Sequence, residues 1–340
     1  MIMDGGVVLV SWLCSRLLAH PRNPWQVLDQ PNARSLHARP VPRMGGLAIA
    51  AGALMGFCAD SWQWSRGLAV AMTALAVVAV LSWYDDQAGL SPRLRLLVHV
   101  AAAALVAVLV QPSPGDLLPG LAVVPGGFLA ILFVTGFLVW WINLYNFMDG
   151  MDGFAGGMAV FGFGALAALA YRAHDVPYAE ASLTVAAAAL GFTVSNFPPA
   201  RLFMGDVGAT ALGFGAGMMI LAGDARGDFP TWAGLIVFSP FLVDATLTLV
   251  RRVARGENPT VAHREHYYQR LVQAGLSQRR TVLGEYALMA VCAVAAYAAV
   301  GVPVPWQWVI LASLAVTYTA LAAWVGRWEG HGQARRNPAR

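Results

Sequence analysis

The sequence predicts an all-α integral membrane protein of about eleven transmembrane helices, and three observations predict it. Of the 340 residues, 58% are hydrophobic and only 12% charged, with a mean hydropathy of +0.59. The apolar residues fall in runs long enough to cross a hydrocarbon core, which takes roughly 20 residues per helix. The arginines crowd into alternate connections between those runs, as expected of a polytopic protein with one positive face.

The runs lie near residues 5–20, 44–60, 66–84, 93–111, 121–142, 154–171, 179–195, 207–222, 231–250, 281–300 and 305–325. Each is read as a helix, because backbone polar groups in lipid must be satisfied within the segment. The first follows Met1-Ile-Met-Asp4 with neither a basic start nor a clear cleavage site, so it reads as a span and not a signal peptide. The 207–222 run is glycine-rich, which suits close helix packing. The 231–250 run carries Asp244, an intramembrane carboxylate that is either functional or paired with Arg251 or Arg252. The Arg-rich end from Gly330 reads as disordered. Residues 1–326 form one polytopic bundle, followed by an Arg-rich tail over 327–340.

All 22 basic residues are arginines, which with the abundant alanine points to a biased genome. The pI of about 9.2 is therefore no sign of a nucleic-acid partner. Cys14, Cys58 and Cys292 sit singly, without metal-ligand spacing or a disulfide framework. Counted across the spans, all arginines except Arg66, Arg172 and Arg226 fall on one side. The positive-inside rule makes that side cytoplasmic, with the N-terminus periplasmic and the C-terminus cytoplasmic.

The same count places every chemistry-bearing loop on the cytoplasmic side. The first loop, from Asp29 to Gly46, mixes Arg34, His37 and Arg43 with prolines, and its Gly45-Gly46 pair would let backbone N–H groups approach an anion. Alone, it also fits an ordinary positive-inside loop. The second carries Asp85-Asp86 at a helix C-terminus, where negative charge opposes the macrodipole unless Arg93, Arg95 or a cation answers it. The third, Asn143 to Gly153, sets Asp149 and Asp152 three apart beside Asn146, so like charges crowd unless a cation or proton intervenes. In the fourth, Arg201 and Phe203 precede Asp206, which is either a helix cap or a ligand for Mg²⁺ shared with phosphate oxygens. The fifth carries His263, Arg264 and His266; with no further ligands evident, phosphate or sugar contact is more natural there than zinc.

Taken in order, Pro31-Asn-x-Arg-Ser-x-His37, Pro42-Arg-x-Gly-Gly46, Asp85-Asp86, Asn146-Phe-x-Asp-Gly-x-x-Gly153, Phe197-Pro-Pro-Ala200, Met204-Gly-Asp206 and the His263 loop resemble the polyprenyl-phosphate N-acetylhexosamine-1-phosphate transferases. The likeness spans about residues 22–280, and the form of the His263 loop is similar to the branch that initiates O-antigen or related glycans. It implies a multi-pass enzyme of the bacterial inner membrane that transfers sugar-1-phosphate from a UDP-N-acetyl sugar to undecaprenyl phosphate, releasing UMP. It further implies Mg²⁺, with Mn²⁺ as a substitute, held by Asp206, Asp149 and Asn146. By the same likeness Asp85 or Asp86 prepares the lipid phosphate, Asp152 lines the site, and Phe203 stacks on uracil. Arg34, His37, Arg43, Arg201, His263, Arg264 and His266 would contact phosphates or sugar. Gln87-Ala-Gly-Leu follows the paired aspartates where some relatives carry a basic residue, which leaves open the arginine that neutralises the lipid phosphate. Membrane lipids are the remaining partners, and a second copy of the chain is the one protein partner entertained. The rival class is an ion-coupled secondary transporter, whose site would lie near the bilayer midplane. Only Asp244 is placed that deep.

Overall fold

The structure, a computed structural model, describes residues 2–31, 36, 39–59, 66–111, 115–121, 126–258 and 263–336. Its helices are α1 Ile2–Leu18, α2 Gly45–Ala59, α3 Arg66–Ala88, α4 Pro92–Leu109, α5 Gly127–Met148, α6 Phe154–Arg172 and α7 Val176–Asn196. They continue with α8 Gly205–Ala225, α9 Thr231–Val237, α10 Ser239–Ala254, α11 Tyr267–Gln273, α12 Gln278–Val300 and α13 Val304–Arg336. The protein is an all-α integral membrane protein, and each of the eleven apolar runs contains helix among the described residues.

Four details differ from expectation. The 231–250 run is two helices, α9 and α10, bent by 82°. Pro240 stands in the first turn of α10, where it can neither donate to the preceding turn nor continue it. Helix α5 begins later than expected and runs on to Met148, so Asn143–Met148 is helix and not loop. Helix α13 continues past Gly330 to Arg336, where the sequence suggested disorder. Finally, the first loop contains a short antiparallel pair, β1 Leu28–Asp29 with β2 Val41–Pro42.

Among the described residues seven helices are long and apolar enough to cross a membrane, or eight if the bent α9–α10 pair counts as one span. The others among the eleven fall short for visible reasons. Helices α1 and α2 have 17 and 15 residues, and α7 carries Tyr178, Glu180, Ser182 and Thr184.

Two buried clusters hold the bundle together. The larger, around Trp141, Tyr145, Phe154, Phe192, Phe238 and Phe241, joins α5, α6, α7, α9 and α10. The smaller, with Ala74, Val78, Ala103, Val106, Leu138 and Phe214, joins α3, α4, α5 and α8. Helix α8 packs on both α3 and α5, which brings the C-terminal ends of α3 and α5 to the N-terminal end of α8. The far ends of α3, α6 and α8 carry Arg66, Arg172 and Arg226, the three arginines that the span count set apart.

Candidate active site

The converging ends enclose a cavity of about 270 Å³. Its wall includes Asp86 from the last turn of α3, Asn146 and Asp149 from the end of α5, Asp152 just before α6, and Asp206 from the first turn of α8. Asp29 and Arg43 reach it from the β1–β2 hairpin, and Gln269 reaches it from α11. Phe203 and Asn196 also line it.

Backbone hydrogen bonds knit the loops into this frame. Gly45 N donates to Phe203 O at 2.8 Å, Gly46 N donates to Met204 O at 2.8 Å, and Phe203 N donates to Pro42 O at 2.7 Å. The Gly45-Gly46 amides are therefore spent on the fourth loop, and the expected anion contact is corrected. The second glycine is required for packing, since a Cβ on Gly46 would sit 2.3 Å from Gly208 N. Gly205 has φ of +74°, a left-handed turn that starts α8 and aims Asp206 at the cavity. Asn196 fastens the third loop to the fourth: its Oδ1 accepts from Gly153 N at 2.8 Å and its Nδ2 donates to Leu202 O at 2.8 Å. Asp152 accepts from Ala200 N at 2.9 Å, so it braces the Pro-Pro loop as well as facing the cavity.

The two neighbouring aspartates have separate positions. Asp85 accepts from Leu90 N at 2.6 Å and from Arg95 Nη1 at 2.8 Å, and it is not part of the cavity wall. The same Arg95 nitrogen lies 3.5 Å from Asp206 Oδ2. Asp86 is buried, with Arg43 Nε 3.6 Å from its Oδ1. That Oδ1 accepts no hydrogen bond among the described residues. Burial, followed by the charges of Asp206, Asp86 and Asp152, pushes the Asp149 carboxyl up to about 8.

Such crowded oxygen ligands fit a hard divalent cation, which would relieve the repulsion. Among the described residues no three His, Cys, Asp or Glu side chains form a complete metal cluster. A cation here would share oxygens of a bound phosphate, as Mg²⁺ commonly does.

The remaining expected residues are placed elsewhere. Arg34 and His37 lie outside the described residues. Arg201 is exposed and Arg264 half-buried, and neither lines the cavity. His266 is buried, with Nδ1 3.2 Å from Asp244 Oδ1, and it caps α11. Asp244 also accepts from Tyr267 N at 3.0 Å and Tyr268 N at 3.4 Å. Its partner is thus the start of α11, not Arg251 or Arg252, which pair with Glu265 and Glu257. His263 packs against His266 with ring centroids 4.9 Å apart, and burial, then His266 and Arg252, pulls its imidazole down to about 4. A neutral ring packed at a tilt of 37° against a capping histidine stands apart from the cavity wall. Gln269 and Asp29, absent from the expected set, do reach it. Asp29 opens the first loop and is readable as a further carboxylate, whereas Gln269 follows the histidines of the fifth loop as a neutral amide, which by itself suggests no site role.

A family model described as glycosyl transferase family 4 matches residues 67–224. The chain is 30% identical over 270 residues to the probable undecaprenyl-phosphate N-acetylglucosaminyl 1-phosphate transferase of Bacillus subtilis, covering 76% of this chain and 73% of that one. The chain belongs to the polyprenyl-phosphate N-acetylhexosamine-1-phosphate transferase family. Other members are the decaprenyl-phosphate N-acetylglucosaminephosphotransferase of Mycolicibacterium smegmatis, 31% identical with 74% and 70% covered, and the phospho-N-acetylmuramoyl-pentapeptide-transferase of Synechococcus sp., 34% identical with 69% and 72% covered. The family match runs from α3 to α8 and so contains Asp86, Asn146, Asp149, Asp152 and Asp206. The hairpin residues and α11 complete the cavity from outside it.

Proposed function

We propose that the protein transfers N-acetylhexosamine-1-phosphate from a UDP-N-acetyl sugar to undecaprenyl phosphate. A phosphate oxygen of the lipid attacks the sugar-bearing phosphorus, the bond from that phosphorus to UMP breaks, and UMP leaves with the bridging electron pair. The product is undecaprenyl-pyrophosphoryl-sugar. The observation that carries this reading is the convergence of Asp86, Asp149, Asp152 and Asp206 from separate segments on one cavity at the ends of membrane helices.

Phosphoryl transfer needs alignment and charge neutralisation more than covalent machinery. Asp206, Asp149 and Asn146 would hold Mg²⁺, which when bound supplies positive charge against the pyrophosphate oxygens. Asp86 is favoured over Asp85 to face the lipid phosphate, because Asp85 is spent on Arg95 and Leu90. Among the described residues Arg43 and Arg95, beside Asp86 and Asp206, are arginines placed to answer the reacting charges. Phe203, in the wall, offers a ring for uracil.

The relatives named for N-acetylglucosamine favour that sugar, and the His263 loop favours initiation of O-antigen or a related surface glycan. The cavity opens to the cytoplasmic face of the bacterial inner membrane, on the arginine-rich side. Purified protein given undecaprenyl phosphate, Mg²⁺ and a panel of UDP-N-acetyl sugars should release UMP only when both lipid and donor are present. UMP release without lipid phosphate, or none with any donor, would overturn the proposal.

A further inference from the structure

Gln269 lies in the cavity wall and is 6% exposed. Its two amide ends have different fates. Oε1 accepts from His266 N at 3.3 Å, as part of the capping box that starts α11. Nε2 donates no hydrogen bond among the described residues, and it lies beside Gly150, 3.1 Å from where a Cβ on that glycine would sit. The cap fixes one end of the amide, which leaves the other as a preset N–H donor at the cavity. A ligand acceptor that meets this donor gains discrimination against one that lacks it.

The rest of the wall narrows the choice of acceptor. Asp29, Asp86, Asp149, Asp152 and Asp206 are themselves acceptors and favour cations, and Arg43 answers anionic oxygen. Asn196 has both amide ends occupied. A neutral amide donor adds little against a diphosphate, but it matches a carbonyl oxygen. Given the proposed donor class, we infer that Gln269 Nε2 recognises the acetamido carbonyl of the sugar nucleotide and sets preference for N-acetylated donors.

The test measures dissociation constants of UDP-GlcNAc, UDP-glucose and UDP by calorimetry for the wild type, Gln269→Ala and Gln269→Glu. The glutamate keeps the acceptor that caps α11 and removes the donor. Both variants should lose on the order of tenfold affinity for UDP-GlcNAc relative to UDP-glucose, a neutral hydrogen bond's worth. UDP binding should fall no more than UDP-glucose binding does. An equal loss for UDP-GlcNAc and UDP-glucose, matched by UDP, would assign Gln269 to the uridine or phosphates and overturn the inference. Full UDP-GlcNAc preference in Gln269→Glu would reduce the residue to a helix cap and also overturn it. A wild type that binds no uridine nucleotide would defeat the proposed function itself, a separate result.

Discussion

The side chains divide into those that face the cavity and those that hold other residues in place. Asp149 belongs to the first group, and Asp149→Asn should lower UMP release on the order of a hundredfold while leaving the fold intact, since it removes a carboxylate ligand of the proposed cation. An unchanged rate in a correctly inserted variant would remove it from the site. Asp85 belongs to the second group: Asp85→Asn should act through Arg95, and its loss should be smaller than that of Asp86→Asn in the same assay. The reverse ranking would restore Asp85 to the reaction. His263 makes a prediction in pH. Its folded pKa near 4 is below the ordinary 6.5, so burying the neutral ring contributes stability that is complete above 6.5 and is lost as pH falls through that value toward 4. Melting temperatures in detergent should therefore decline over that window less steeply for His263→Gln than for the wild type, and identical slopes would contradict the assignment.

Helix ends carry the site, and two contacts decide whether those ends meet. Asp244 takes hydrogen bonds from His266, Tyr267 and Tyr268, so Asp244→Ala leaves buried donors unpaired at a cost of about 1–3 kcal/mol. It should lower the melting temperature, and a variant as stable as the wild type would contradict the capping role. The sequence marks Asp244 as either functional or paired with Arg251 or Arg252, and does not point to the start of α11, because a partner 22 residues away across a turn leaves no local signature. The same limit explains Gly45-Gly46. Their spacing looked like an anion cradle, yet their amides go to Phe203 and Met204, contacts that only the packing of α2 on α8 creates. By contrast, Asp86, Asn146, Asp149, Asp152 and Asp206 were legible because each interrupts apolar sequence at a helix end, where charge needs a reason.

At the scale of the whole molecule, hydropathy made the helices legible. It did not reveal the 82° bend at Phe238, because α9 and α10 together still read as one apolar run. Span parity correctly gathered the second, third and fourth loops at one end, although the fifth contributes Gln269 in place of its histidines. The sidedness makes its own prediction. With Cys14, Cys58 and Cys292 replaced, a cysteine at Arg264 should resist an impermeant thiol reagent applied outside intact cells and react once the membrane is opened. Labelling from outside would invert the topology. The central claim is that the carboxylates of α3, α5 and α8 work together as a cation-dependent phosphoryl-transfer site. The most direct test is the initial rate of UMP release as a function of Mg²⁺ concentration, in the wild type and in Asp206→Asn. The wild type should show saturable, chelator-sensitive release that is lost in the variant, whereas release indifferent to chelator, or undiminished in Asp206→Asn, would contradict it.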